Sequence, residues 1–432
     1  MKTWNGRGQA GQTMGTIQRT GALLLALALL MLSGCGDDEG QFVPDTHPTA
    51  GLWRAWLDSP GGELPFGLIL IQKQGLWNAT LINGEERIPV PRVTLMGDQL
   101  RLSAPHYDSS IVATVSEDRK RLDGRWQKTA GGGETSELPF HAVHGADPRF
   151  PLPTGTVNDA DAVAGRWRVD FETDEHPAVA ELRTGSDGAL LGTFLTAVGD
   201  YRYLAGSFAG NKLRLSCFDF AHAFLFHADL TDDGMRGDFW SRDSWHETWE
   251  AVRDDAATLP DGFGMTVWNE QVALGDLTYP NLDLEPTAIS SLTGKVTVLE
   301  VFGSWCPNCN DAIRHMIDLE QAYGDRGLEV VGLAFELTGD AERDAAQVRR
   351  FNDYHGVEFP VLLAGTYDKA EASEQFPLID KVRAYPTTIF LDANGKIRHI
   401  YTGYVGPATG HSHAALRDKF DQIVLDLLAE AS

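Results

Sequence analysis

Val296-Thr297-Val298-Leu299-Glu300-Val301-Phe302-Gly303-Ser304-Trp305-Cys306-Pro307-Asn308-Cys309 decides how the last third of this chain is read. Its first seven residues carry one charge in an apolar, β-branched run, which predicts a buried strand over 296–302. The spacing after Pro307 predicts a helix over 307–323, so Cys306 stands where strand hands over to helix. A thiol there sits beside unpaired amide hydrogens and the positive end of the helix dipole, which favours thiolate. Cys306 is therefore expected to be an exposed nucleophile. One helical turn brings Cys309 back alongside it, at a separation a disulfide can close, as the resolving thiol.

Outward from this stretch the pattern alternates. Further strands are predicted over 328–335, 359–363, 387–391 and 397–404, with helices over 341–354 and 413–428; Asn394-Gly395 turns the last hairpin. This is an α/β layer arrangement. With Gly303-Ser304-Trp305-Cys306-Pro307-Asn308-Cys309 at its strand end, residues 274–428 resemble the thioredoxin superfamily, and within it the TlpA/ResA-type extracytoplasmic reductases.

The resemblance implies three further roles. Tyr385-Pro386-Thr387-Thr388 falls where thioredoxins place a cis-proline beside the cysteines, so Pro386 and the backbone of Tyr385 are expected to receive a substrate peptide by strand-like pairing. Glu300 stands where thioredoxins carry a buried aspartate, and burial would raise its pKa toward the range useful for taking a proton from Cys309; the alternative is a strand-end carboxylate facing water or pairing with Lys295. Trp305, next to the nucleophile, is expected to cover one side of the disulfide and shape partner contact, packing alone being the alternative. The chain departs from many of these reductases in having Ala312 three places after the second cysteine, where they carry an acid; the neighbouring Asp311 is rotated by about 100° and is a poor substitute. Half a zinc site is unattractive because no second C-x-x-C exists and zinc wants four ligands. The peroxiredoxin-type Pro-x-x-x-Thr-x-x-Cys pattern is absent around Cys306. No metal and no cofactor are expected.

The middle of the chain repeats itself. Ala50-Gly51-Leu52-Trp53-Arg54 returns as Ala164-Gly165-Arg166-Trp167-Arg168, Leu100-Arg101-Leu102-Ser103 as Leu213-Arg214-Leu215-Ser216, and Asp123-Gly124-Arg125-Trp126 opposite Arg236-Gly237-Asp238-Phe239-Trp240. Two copies of one unit of roughly 90 to 100 residues explain this. Short runs of period-two alternation, such as Leu68-Ile69-Leu70-Ile71, punctuated by Asn83-Gly84 and Asp233-Gly234, make each copy all-β, either barrel or sandwich. Trp53, Trp126, Trp167 and Trp240 recur at matching positions and are expected in the cores. Cys217 answers to Ala104, which points to an inert core thiol.

At the amino terminus Arg19 precedes an apolar run over 22–32 and then Leu32-Ser33-Gly34-Cys35. The run is about half of the roughly 20 residues that span a bilayer. It resembles a bacterial lipoprotein signal, which implies cleavage before Cys35 and a diacylglyceryl thioether on its thiol. The expected organisation is a signal peptide over 1–34, a tether over 35–50, β repeats over 51–145 and 163–254 joined by a linker over 146–162, and a thioredoxin-like domain over 264–432.

At 432 residues, 43 % hydrophobic and 22 % charged, the chain has globular composition and the length for several domains. Its formal charge of −25 repels phosphate backbones, which excludes nucleic acid as a partner. The expected function is a thiol–disulfide oxidoreductase on the periplasmic side of the cell envelope, held by lipid on Cys35, reducing disulfides of client proteins with electrons from a membrane thiol–disulfide donor. A disulfide oxidase or isomerase, and a binding or scaffold lipoprotein whose β repeats recognise a partner, are the alternatives.

Overall fold

The computed structural model describes residues 47–152 and 154–431. The signal-like segment and Cys35 lie outside the described residues.

The two copies are all-β, with different closures. In the first, nine antiparallel strands run from Gly51–Ser59 to Thr135–His144; the strand Gly51–Ser59 pairs with both Gly62–Lys73 and Thr135–His144, so the sheet curls. Its edges, Glu86–Pro89 and Arg92–Met96, share no ladder, and the sheet stays open. In the second, Ala178–Thr184 pairs with Gly165–Phe171 on one side and Leu190–Thr196 on the other, which closes eight strands into a barrel. Repeated glycines sit where strands approach closely. A Cβ on Gly124 would lie 2.0 Å from the Val112 carbonyl oxygen, and one on Gly237 2.0 Å from that of His227.

Trp53, Trp126 and Trp167 lie in the cores as expected, and Cys217 is fully buried. Trp240 differs. The residue two places after the repeated glycine is Trp126 in the first copy and Phe239 in the second, so Phe239 fills the barrel core. Trp240 faces the other way and packs against the core of the curled sheet. The period-two alternation dictates this swap, since one residue's shift changes the face.

The copies share a seam. Phe218, Phe220, Ala223 and Leu225 of the barrel belong to the apolar core of the curled sheet. Asn83 donates to the Phe218 carbonyl (2.9 Å) and accepts from the Phe218 amide (3.2 Å). The stretch expected to be a linker is docked: Arg149 is half-buried and hydrogen-bonds Ser216 of the barrel as well as Ile82 and Asn83 of the curled sheet.

The carboxy-terminal region is a five-stranded mixed sheet with helices, the thioredoxin-like fold. In chain order it comprises β1 (Val296–Phe302), α1 (Pro307–Tyr323), β2 (Leu328–Glu336), α2 (Ala341–His355), β3 (Val361–Thr366), α3 (Lys369–Gln375), β4 (Thr387–Leu391), β5 (Ile397–Thr402) and α4 (His411–Glu430). The sheet order is β3-β2-β1-β4-β5, parallel for β1–β2–β3 and antiparallel for β4 and β5. Every residue of β1 is buried, as a central strand covered on both faces requires. The short helix α3 was not legible in the sequence pattern.

Candidate active site

Cys306 caps α1. Its sulfur accepts the Cys309 amide hydrogen at 3.4 Å, and its thiol donates to the Tyr385 carbonyl at 3.4 Å. The Tyr385–Pro386 peptide is cis, which brings that carbonyl to the sulfur. Cys306 and Cys309 are both free thiols. Burial, reinforced by the neighbouring Cys306, pushes the Cys309 thiol well up, so Cys309 holds its proton until something close by removes it.

Glu300 lies in the middle of β1, opposite Thr388 of β4. It is fully buried; one carboxyl oxygen accepts from the Thr388 hydroxyl at 2.7 Å and the other has no partner. Burial raises this carboxyl to about 8, and its charge is close enough to raise Cys309 in turn. The wet-face alternative is therefore not what the structure contains. Trp305 turns its indole N–H to the Phe335 carbonyl (2.9 Å) and sets its ring edge-on to Tyr385, with centroids 5.4 Å apart.

Cys306 was expected to be exposed, yet only 7 % of it meets solvent and Pro307 is buried. Cys306 packs into the apolar core of its own domain against Tyr385, and the β units flank its neighbours. Gly199, at a turn of the barrel, lies against Asn308 between the cysteines, where a Cβ would come 1.9 Å from the amide nitrogen. Lys128 of the curled sheet reaches in to donate to the Trp305 carbonyl at 3.2 Å. A cleft of about 900 Å³ opens beside the cis-proline loop, walled by Lys369, Lys381 and Arg383 on one side and by Asp174, His176 and residues 196–198 of the barrel on the other.

Sequence reasoning missed several groups that the fold brings here. Glu336, at the end of β2, accepts from both the amide and the hydroxyl of Ser304 at 2.8 Å and so fixes the turn before Cys306; burial raises it to about 8. Asp311 pairs with Arg202 of the barrel, which keeps it away from the cysteines. A buried acid at the end of the second strand was the one available signal for Glu336; nothing local marks Lys128 or Arg202.

Comparison with known proteins places this geometry. The AhpC/TSA family matches residues 271–400. Thioredoxin-like protein YneN of Bacillus subtilis is 31 % identical over 128 residues, covering 30 % of this chain and 68 % of YneN. Protein DipZ of Mycobacterium tuberculosis is 30 % identical over 159 residues, 35 % of this chain. Thiol-disulfide oxidoreductase ResA of Halalkalibacterium halodurans is 28 % identical over 123 residues, 28 % of this chain. The chain spans only 19 % of DipZ and 62 % of ResA.

Proposed function

Taking as premise that this chain belongs to the thioredoxin-like thiol–disulfide oxidoreductases of the YneN and ResA kind, we propose that it reduces disulfides of client proteins outside the cytoplasm while held to a membrane by lipid on Cys35. The observation that carries this reading is Cys306 at the start of α1, hydrogen-bonded to Tyr385 beyond the cis-proline bond and backed by the buried pair Cys309 and Glu300.

The chemistry follows from those positions. The Cys306 thiolate attacks a client disulfide; a bond forms between Cys306 and one client sulfur, and the other client sulfur leaves and takes a proton. Glu300 accepts the proton of Cys309, for which a carboxyl at about 8 is matched. The Cys309 thiolate then displaces the client sulfur from Cys306. The client has gained two electrons, and Cys306–Cys309 is left as a disulfide. A membrane thiol–disulfide donor of the same chemical class returns the electrons. Tyr385, Pro386 and Trp305 form the surface against which the client segment lies.

Replacing Cys309 by Ser tests this, because the mixed disulfide then has no resolving thiol. Covalent adducts through Cys306 should accumulate in cells; their absence would defeat the reading. A second reading, in which the β units recognise the client, is favoured by their direct contact with Trp305 and Asn308.

A further inference from the structure

Lys128 breaks the rule of its strand. Arg121–Thr129 alternates, and its inward row holds Leu122, Trp126 and Lys128. The first two belong to the apolar core, whereas Lys128 is an ammonium that is 5 % exposed. Lysine is almost never fully buried unless paired. The repeat demands no lysine here either: counting two from Trp126 and two from its counterpart Phe239 sets Lys128 against Ser241.

The surroundings say what the charge is for. Of its three donors, one goes to the Ala221 carbonyl (3.3 Å) and one to the Trp305 carbonyl (3.2 Å), the residue before Cys306. Its stem lies by Tyr107, whose ring centre is 5.6 Å from the nitrogen. No carboxylate comes within ion-pair distance among the described residues. Asp108, on its own unit, is taken by Thr129 and Arg343, and Asp219 of the barrel by His222 and Arg202. Burial and the neighbouring Arg242 lower Lys128 to about 8, and the groups that oppose this are Asp219, Cys306 and Asp108. A buried cation left without a carboxylate is costly, and a nearby group that can become an anion at the same depth offsets part of that cost.

We propose that Lys128, supplied by the curled β sheet, is a positioning residue for the nucleophile: its ammonium, anchored on the Trp305 carbonyl, stabilises the Cys306 thiolate once the proton that the thiol donates to the Tyr385 carbonyl has left. The β units thereby complete the redox site. This rests on the reading of Cys306 as nucleophile. Lys128 is not a base; the proton of Cys306 leaves to solvent, and the lysine keeps its charge. Among the described residues, the other charged and titratable groups that bear on Cys306 include Lys369 on α3, Cys309 on α1 and Tyr385 on the cis-proline loop. Lys369 is cationic too, and Lys128 differs from it in being held by two hydrogen bonds to backbone carbonyls.

The test uses the full chain with Cys35→Ser, Cys217→Ser and Cys309→Ser, leaving Cys306 as the thiol followed by iodoacetamide alkylation from pH 4 to 10. Lys128→Met should move the midpoint upward by about one pH unit and slow alkylation about tenfold at neutral pH, and Lys128→Arg should recover much of it. An unchanged midpoint in Lys128→Met overturns the inference. A second measurement does not depend on Lys128→Met behaving well alone: in chains carrying Cys306→Ala the lysine has lost its anion, so Lys128→Met should raise the melting temperature at pH 8 more than it does in the parent chain. Equal shifts in both backgrounds overturn the coupling. If Cys306 in the parent chain forms no mixed disulfides at all, the proposed function fails, and that outcome is separate from the effect of Lys128.

Discussion

Arg202 and Asp311 form a buried ion pair that ties the barrel to the helix bearing the cysteines. Arg202 also lies 3.3 Å from Glu86 of the curled sheet and 3.4 Å from Asp219. One guanidinium thus gathers carboxylates from all three parts of the chain. Removing one partner of a buried pair leaves the other charge unpaired, which costs about 3–5 kcal/mol.

Arg202→Met should therefore destabilise the chain by roughly 3 kcal/mol or more in denaturant unfolding. The exposed pair Arg183–Glu85 (2.5 Å) joins the same two β units and is the control. Arg183→Met should cost far less than Arg202→Met, because water and salt screen the exposed pair. Equal losses would mean that the Arg202 cluster is solvated.

Glu300 and Glu336 set a pH dependence. Burial raises both carboxyls from an ordinary 4.5 to about 8, so between these values the folded chain holds protons that the unfolded chain has released. Their stabilising contribution is full below about pH 4.5 and lost as pH rises through about 8. Glu300→Gln cannot ionise. Its stability relative to the parent should rise by roughly 2 to 4 kcal/mol between pH 5 and pH 8.5. A constant difference across that range would place the Glu300 pKa near that of a free carboxyl.

The same variant should slow the resolving step. Without the carboxylate, the Cys309 thiol keeps its proton, and loss of a general base typically costs 10²- to 10⁴-fold. Rapid mixing with a disulfide substrate should reveal mixed disulfide through Cys306 forming at the parental rate and decaying slowly. Parental decay would remove Glu300 from the mechanism.

Gly199 holds the barrel against the motif. A side chain there must displace Asn308. Gly199→Val should thus raise the alkylation rate of Cys306 in the native chain severalfold, as the barrel lifts from the cysteines, with the curled sheet and barrel still folded by circular dichroism. An unchanged rate would show that the contact does not limit access.

How much of this could be read from sequence depended on how far apart the cooperating residues are. The strand, Cys306 and α1 are contiguous, so propensity, helix start and chemistry point the same way within fourteen residues of chain. Glu300 was legible because an acid inside an apolar strand has few explanations. The β units were legible as strands through period-two alternation; their closure was not, because it hangs on whether Leu190–Thr196 also pairs with Ala178–Thr184, a choice no local pattern encodes. The burial of Cys306 was misjudged for the same reason. Its partner carbonyl comes from Tyr385, 79 residues on, and its neighbours Trp305 and Asn308 meet Lys128 and Gly199 of the β units.

The most direct test of the account is a redox titration of the full chain, with the thiols counted by alkylation and mass spectrometry at each potential. A reductase built on Cys306 and Cys309 should lose both thiols together, in one two-electron step, at a midpoint close to the roughly −270 mV of thioredoxin. Two thiols that disappear independently without joining, or a joint step near about −120 mV, would contradict it.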